Sequence, residues 1–175
     1  MKAALPKAII VGPSGGGRTA VGEALSSAIG IELVEMEDVV ESKLEIPYSS
    51  VALTVAGSEL TKHLRDAQAQ MWTSGAVVTL LPSALSDDQI YAAIALARES
   101  GVPLIAVTAD MSTLARRNGL NAPRSLALGQ SRKWFSDLVR AHQEQYEMLG
   151  AVEIDTSRRT AAEVAQLVCS QFALQ

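Results

Sequence analysis

Five short apolar runs punctuate the chain, at residues 8–11, 32–36, 76–81, 103–107 and 151–154. Each has the length of a buried strand. Between them, apolar residues recur at spacings of three and four, the period of a helix with one buried face. Val21, Ala24, Leu25 and Ala28 mark such a helix over 18–29, and Gly30 stands where its stop is expected. Leu60, Leu64, Ala67 and Met71 mark another, with Ser58 as its cap. A third carries Phe135, Val139, His142, Tyr146 and Leu149 on one face and opens at Ser131. Ser86-Asp-Asp-Gln89 and Thr160-Ala-Ala-Glu163 read as capping boxes, in which side chains satisfy the end N–H groups of a helix. Alternating strands and helices predict a parallel sheet with helices on both faces. Residues 111–130 have no sustained helical period; they are basic and broken by Gly and Pro, the character of a mobile cover over a binding cleft.

The first strand runs directly into Gly12-Pro-Ser-Gly-Gly-Gly-Arg-Thr19. This is the spacing G-x-x-x-x-G-[basic]-[Ser/Thr] of a phosphate-binding loop, whose backbone N–H groups cradle nucleotide phosphates. Gly12, Gly15, Gly16 and Gly17 form the cradle, and the Thr19 hydroxyl has the position of a Mg²⁺ ligand. Arg18 replaces the usual lysine. Its charge is kept, but a broad planar fork needs more room than a slim ammonium stem. It either reaches the phosphates in an altered pose or turns outward to pair with an acidic neighbour.

Composition narrows this reading. A length of 175 residues suits one α/β domain over 1–175, and 48% hydrophobic with 4% aromatic residues implies a core of Ala, Val, Leu and Ile. A net charge of −4 argues against nucleic acid as the main partner. The single cysteine, Cys169, allows no intramolecular disulfide. Neither a secretion signal nor a membrane span is expected, so the chain reads as cytoplasmic.

The residues resemble the bacterial shikimate kinases. Gly12-x-x-Gly15-x-Gly17-Arg18-Thr19, followed by Gly22 and Leu25, looks like that family's nucleotide loop. Arg116-Arg117-Asn-Gly119-Leu-Asn121-Ala-Pro-Arg124 is similar to its adenine loop and lid, and Val152-Glu-Ile-Asp155-Thr156-Ser-Arg158-Arg159 to its last strand and loop. The resemblance implies a three-layer α/β P-loop NTPase fold of the nucleoside-monophosphate-kinase type, with a five-stranded parallel sheet. It implies a nucleotide loop at 12–19, an acceptor region over about 35–65 and a lid over about 112–130. It further implies ATP and Mg²⁺, a small hydroxylated metabolite as partner, and a monomer. Arg116, Arg117, Arg124 and Arg158 would serve the nucleotide, Arg124 also neutralising the transferred charge.

The acceptor side departs from the family. Its Asp-x-Asp is here Glu35-Met-Glu37, which gives Glu35 as Mg²⁺ ligand and Glu37 as base if both side chains share one face of a strand. Alternatively, Glu37 and Asp38 are an acidic helix start that favours the dipole. A carboxylate-binding arginine falls on Thr61 or Lys62, with Arg65 one turn further on; the second is His142. His142, which cannot make a bidentate clamp on a carboxylate, reads rather as a half-buried histidine packed near Tyr146. The substrate glycines fall on Ser74-Gly75-Ala76. Loss of two arginine contacts implies about 3–6 kcal/mol, or about 10²–10⁴ in shikimate affinity. The expected activity is ATP-dependent phosphotransfer to a small hydroxyl compound, with Arg18, Glu37 and Arg124 catalytic. A nucleotide-binding paralogue with a regulatory role, and a scaffold that has lost nucleotide, stand as alternatives.

Overall fold

The computed structural model describes residues 4–120 and 126–175. Strands β1 (Ala8–Val11), β2 (Leu33–Glu35), β3 (Val77–Thr79), β4 (Leu104–Thr108) and β5 (Val152–Asp155) form one sheet in the order β2-β3-β1-β4-β5. Every pairing is parallel; Ile9 lies opposite Val78 and Leu104, at the centre. The helices are α1 (Arg18–Ile29), α2 (Met36–Leu44), α3 (Tyr48–Thr54), α4 (Gly57–Met71), α5 (Asp88–Glu99), α6 (Met111–Arg117), α7 (Leu126–Met148) and α8 (Ala161–Phe172). A 3-10 turn spans Pro82–Ser86.

Alternation along the central strand builds three layers, because successive side chains leave a strand on opposite faces. Ala8 and Ile10 pack with Val21 and Leu25 of α1 and Val164 and Val168 of α8. Ile9 and Val11 pack on the other side with Val40, Leu64, Ile94 and Tyr146, from α2, α4, α5 and α7. All four residues of β1 are fully buried, so this strand is fixed from both faces. Its C-terminal end, where the nucleotide-type loop begins, lies between β3 and β4. In open parallel sheets that is where a ligand crevice forms.

Several helix starts differ from the sequence expectation. Asp87 rather than Ser86 caps α5, its carboxylate accepting from the Gln89 and Ile90 amides. Ser58 lies inside α4, whose cap is Ala56, and Ser131 lies inside α7. Residues 111–117, expected to lack helical order, form α6, because Asp110 caps it through the Thr113 amide and Thr113, Leu114 and Ala115 are buried. The Thr160–Glu163 capping box of α8 is present as expected. Cys169 is half-buried against the α1–α8 core, and Trp134 is exposed. Among the described residues, no helix is long and apolar enough to cross a membrane.

Candidate active site

Gly12 opens the loop, and only glycine fits there: a Cβ would lie 2.3 Å from the Val107 carbonyl oxygen. Three side chains hold the loop through its carbonyls. The Ser14 carbonyl accepts from Asn118 Nδ2 at 2.9 Å, that of Gly15 from Arg117 Nη1 at 2.8 Å, and that of Gly16 from the Thr156 hydroxyl at 2.8 Å. In a trans peptide the N–H points opposite to the preceding carbonyl. The Gly15 and Gly17 amides, which follow the held Ser14 and Gly16 carbonyls, therefore point the other way, inward, while the Gly16 amide donates to the Pro13 carbonyl at 3.0 Å. Helix α1 follows at once, and the first N–H groups of a helix have no partner within it. Together they make an anion cradle reinforced by the helix dipole. The cleft above has a volume of about 530 Å³ and is lined by Gly15, Gly17, Thr19, Glu37, Arg117 and Arg159, among others. That is the size of a small-molecule site.

One turn into α1, Gly22 lets the helix approach the sheet; a Cβ there would meet Leu33 Cδ1 at 2.9 Å. The approach brings Thr19 to β2. Its hydroxyl donates to Glu35 Oε1 at 2.7 Å, and the Thr79 hydroxyl donates to the same oxygen at 3.1 Å. Hydroxyl and carboxylate oxygens are the hard donors Mg²⁺ takes, usually with few protein ligands and several waters. The pair fits that ion.

Glu35 and Glu37 do not alternate along one strand. β2 ends at Glu35 and α2 begins at the buried Met36, so Glu37 and Asp38 form an acidic first helical turn. The two glutamates nevertheless divide the junction, Glu35 toward Thr19 and Glu37 toward Arg18. Burial, followed by the charges of Glu35 and Glu41, raises the Asp38 carboxyl above its usual range.

Arg18 leaves the loop. Its Nη1 donates to the Leu80 carbonyl at the end of β3, and its Nη2 lies 3.4 Å from Glu37 Oε1. The side chain is 14% exposed. It pairs with an acidic neighbour as one expectation had it, but inward, across the cleft floor. Its charge acts on Tyr48 of α3 and on His142 and Tyr146 of α7. Burial first, and Arg18 second, lower the His142 pKa. His142 is buried, with its ring 6.4 Å from that of Tyr146. Burial pushes the Tyr146 hydroxyl up to about 12.

The remaining expected acceptor residues lie elsewhere. Arg65 donates through Nε and Nη2 to Asp87 Oδ2, which fixes it to the start of α5. Thr61 bonds back to the Gly57 carbonyl, and Lys62 is exposed on α4; neither lines the cleft. Gly75 is at the wrong end of β3, its amide bonded to the Ala4 carbonyl. The segment leaving the C-terminal end of β3 is instead Leu80-Leu81-Pro82-Ser83, with no glycine. On the nucleotide side, Arg159 rather than Arg158 lines the cleft; Arg158 is exposed, as is Arg116 in the last turn of α6. Arg124 lies outside the described residues. Asn118, Thr79 and Tyr48 were not anticipated, and no periodicity or motif distinguishes them.

Residues 14–173 match the family model for shikimate kinase. A shikimate kinase of Thermobifida fusca (strain YX) is 28% identical over 169 residues, covering 95% of each chain. The structure of shikimate kinase from Acinetobacter baumannii in complex with shikimate superposes with a TM-score of 0.82 at 16% identity, over 98% of this chain and 94% of that one. Shikimate kinase from Bacteroides thetaiotaomicron gives 0.80 at 11% identity, over 98% of this chain and 100% of that one. At those identities the structural likeness speaks for the fold, the three-layer P-loop arrangement around five parallel strands. The sequence match, spanning nearly the whole length, carries the conclusion that this chain belongs to the shikimate kinase family.

Proposed function

We propose that this protein transfers the γ-phosphoryl group of ATP to a hydroxyl of shikimate or a closely similar hydroxylated carboxylic acid. Residues 1–175 act as one catalytic domain, a cytoplasmic monomer in this reading. The observation that carries the proposal is the strand-to-helix junction of β2 and α2. It puts one carboxylate, Glu35, against the Thr19 hydroxyl at 2.7 Å and a second, Glu37, on the opposite flank beside Arg18. One oxygen set suits a metal and the other a proton.

The inward amides of the loop and the start of α1 receive the phosphates, and Arg117 and Arg159 add positive charge at the cleft wall. Mg²⁺, when held by Thr19 and Glu35, supplies charge neutralisation at the phosphates. Glu37 accepts the proton of the acceptor hydroxyl as that hydroxyl's oxygen bonds the γ-phosphorus and the bond from phosphorus to the bridging oxygen breaks, releasing ADP. The lid from about 112–130, including Arg124, excludes water from the reacting groups. No observation favours a purely regulatory role.

The test is ADP release from Mg²⁺-ATP in the presence of shikimate, with the phosphate ester identified by phosphorus NMR. Ester formation that depends on both Mg²⁺ and shikimate is expected. ADP formation no faster than without acceptor would overturn the proposal.

A further inference from the structure

The Arg18 guanidinium stands outside the chemistry just described. Neither of its hydrogen bonds goes to the loop that carries it. Both of its partners, the Leu80 carbonyl and Glu37, belong to the opposite flank of the cleft. Around it lie Tyr48, whose hydroxyl bonds Ser83, and the buried rings of His142 and Tyr146. Among the described residues, Arg18 is the one cation acting on those three side chains. The candidate Arg65 is already neutralised by Asp87.

We infer that Arg18 binds the acceptor's carboxylate rather than the nucleotide's phosphates, and so sets the acceptor specificity of this site. The inference rests on the phosphotransfer reading above and names the residue that selects the acceptor.

Three features argue for it. A guanidinium presents five N–H donors in a planar fork, and the Leu80 and Glu37 contacts engage two of them. The donors that remain match a carboxylate edge. The Glu37 contact, at 3.4 Å, is long beside the 2.7–2.9 Å of a good charge-assisted bond, so an acceptor carboxylate making two short bonds displaces it. That exchange frees Glu37 for the acceptor hydroxyl, and binding of the acid end thereby prepares the base. Swinging the fork back to the phosphates would instead strip the Leu80 carbonyl of its partner in a largely buried place, a costly exchange. The phosphate side keeps Arg117 and Arg159 without it.

The test compares shikimate with its uncharged methyl ester by calorimetry, on the full chain, with Mg²⁺-ADP titrated separately. The unaltered protein should prefer the acid by about 10- to 100-fold, the range of charge-assisted bonding. Arg18→Met should erase that preference while leaving Mg²⁺-ADP affinity within about threefold. Arg18→Lys, which keeps the charge and folds with less disturbance, should retain only part of it. The Arg18 Nε–H resonance should shift with shikimate and not with Mg²⁺-ADP, a readout that needs no variant. Equal binding of acid and ester by the unaltered protein would overturn the inference. So would an Arg18→Met variant that loses Mg²⁺-ADP affinity and keeps the preference for the acid. These are binding measurements, so they decide the role of Arg18 even where no phosphate ester forms.

Discussion

The Thr19 and Thr79 hydroxyls converge on a single oxygen of Glu35, at 2.7 and 3.1 Å. Two donors from α1 and β3 thus fix a carboxylate at the end of β2. Glu35→Gln keeps the shape and removes the charge. Mg²⁺ should then no longer tighten ADP binding, a loss of about 10- to 100-fold in the metal-dependent increment. Calorimetry with and without Mg²⁺ measures it, and an unchanged increment would place the metal elsewhere.

Glu37 requires a different readout. If it takes the acceptor proton, Glu37→Gln lowers kcat by about 10²–10⁴ with a small change in nucleotide affinity. A variant that loses affinity for both ligands and retains kcat would show that Glu37 only restrains Arg18.

The two glycines that shape the site should fail differently. At Gly12 a Cβ would meet backbone, the Val107 carbonyl oxygen at 2.3 Å. At Gly22 it would meet the movable end of the Leu33 side chain. Gly12→Ala should cost about 3 kcal/mol or more and abolish nucleotide binding. Gly22→Ala should cost about 1 kcal/mol, yet weaken the Mg²⁺ dependence by lifting Thr19 from Glu35. Denaturant titration alongside calorimetry separates the two effects.

Asp87 holds the α5 amides of Gln89 and Ile90 through Oδ1 and Arg65 through Oδ2. These bonds, the Arg65 one foremost, keep its carboxyl below the usual range. Asp87→Ala removes the cap and should cost about 1 kcal/mol, a fall of about 2–4 °C in Tm. Asp87→Asn retains cap geometry and should fall between it and the unaltered protein. Arg65→Met should leave shikimate affinity unaltered, since its fork already belongs to α5.

His142 contributes a pH dependence of definite sign. Its native pKa lies below the unfolded value of about 6.5, because burial and then Arg18 disfavour the cation. The unfolded chain therefore takes up the proton first. The stabilisation is complete above about pH 6.5 and is lost as pH falls toward the native value. Tm should drop between pH 7.5 and 5.5, and His142→Gln should flatten that slope. An identical slope in the variant would assign the effect to other groups.

The strands were legible because most of them carry buried apolar residues, β1 and β3 throughout, and β1 and α1 fell where pattern and loop put them. Helix starts were less so. Ser58, Ser86 and Ser131 all look like caps, but at α5 and α6 the first turn is set by a carboxylate that reaches the free amides, Asp87 and Asp110. The Glu35-Met36-Glu37 run has strand alternation, and only the burial of Met36 as the first residue of α2 shows the chain changing into a helix there. Gly75 was attractive as a glycine near β3, yet which end of a strand it occupies depends on the sheet. The direction of Arg18 could not be read at all, because a seven-atom side chain at the start of α1 reaches either wall of the cleft.

The fastening of the Ser14, Gly15 and Gly16 carbonyls to Asn118, Arg117 and Thr156 has a kinetic corollary. If the loop receives a triphosphate as proposed, a receptor already in shape asks little ordering of it, and capture should proceed at a rate governed by encounter. Discrimination among nucleoside triphosphates then resides in how long each stays. Because two of the three fasteners come from the end of α6, any displacement of that helix shortens the dwell time of whatever occupies the loop.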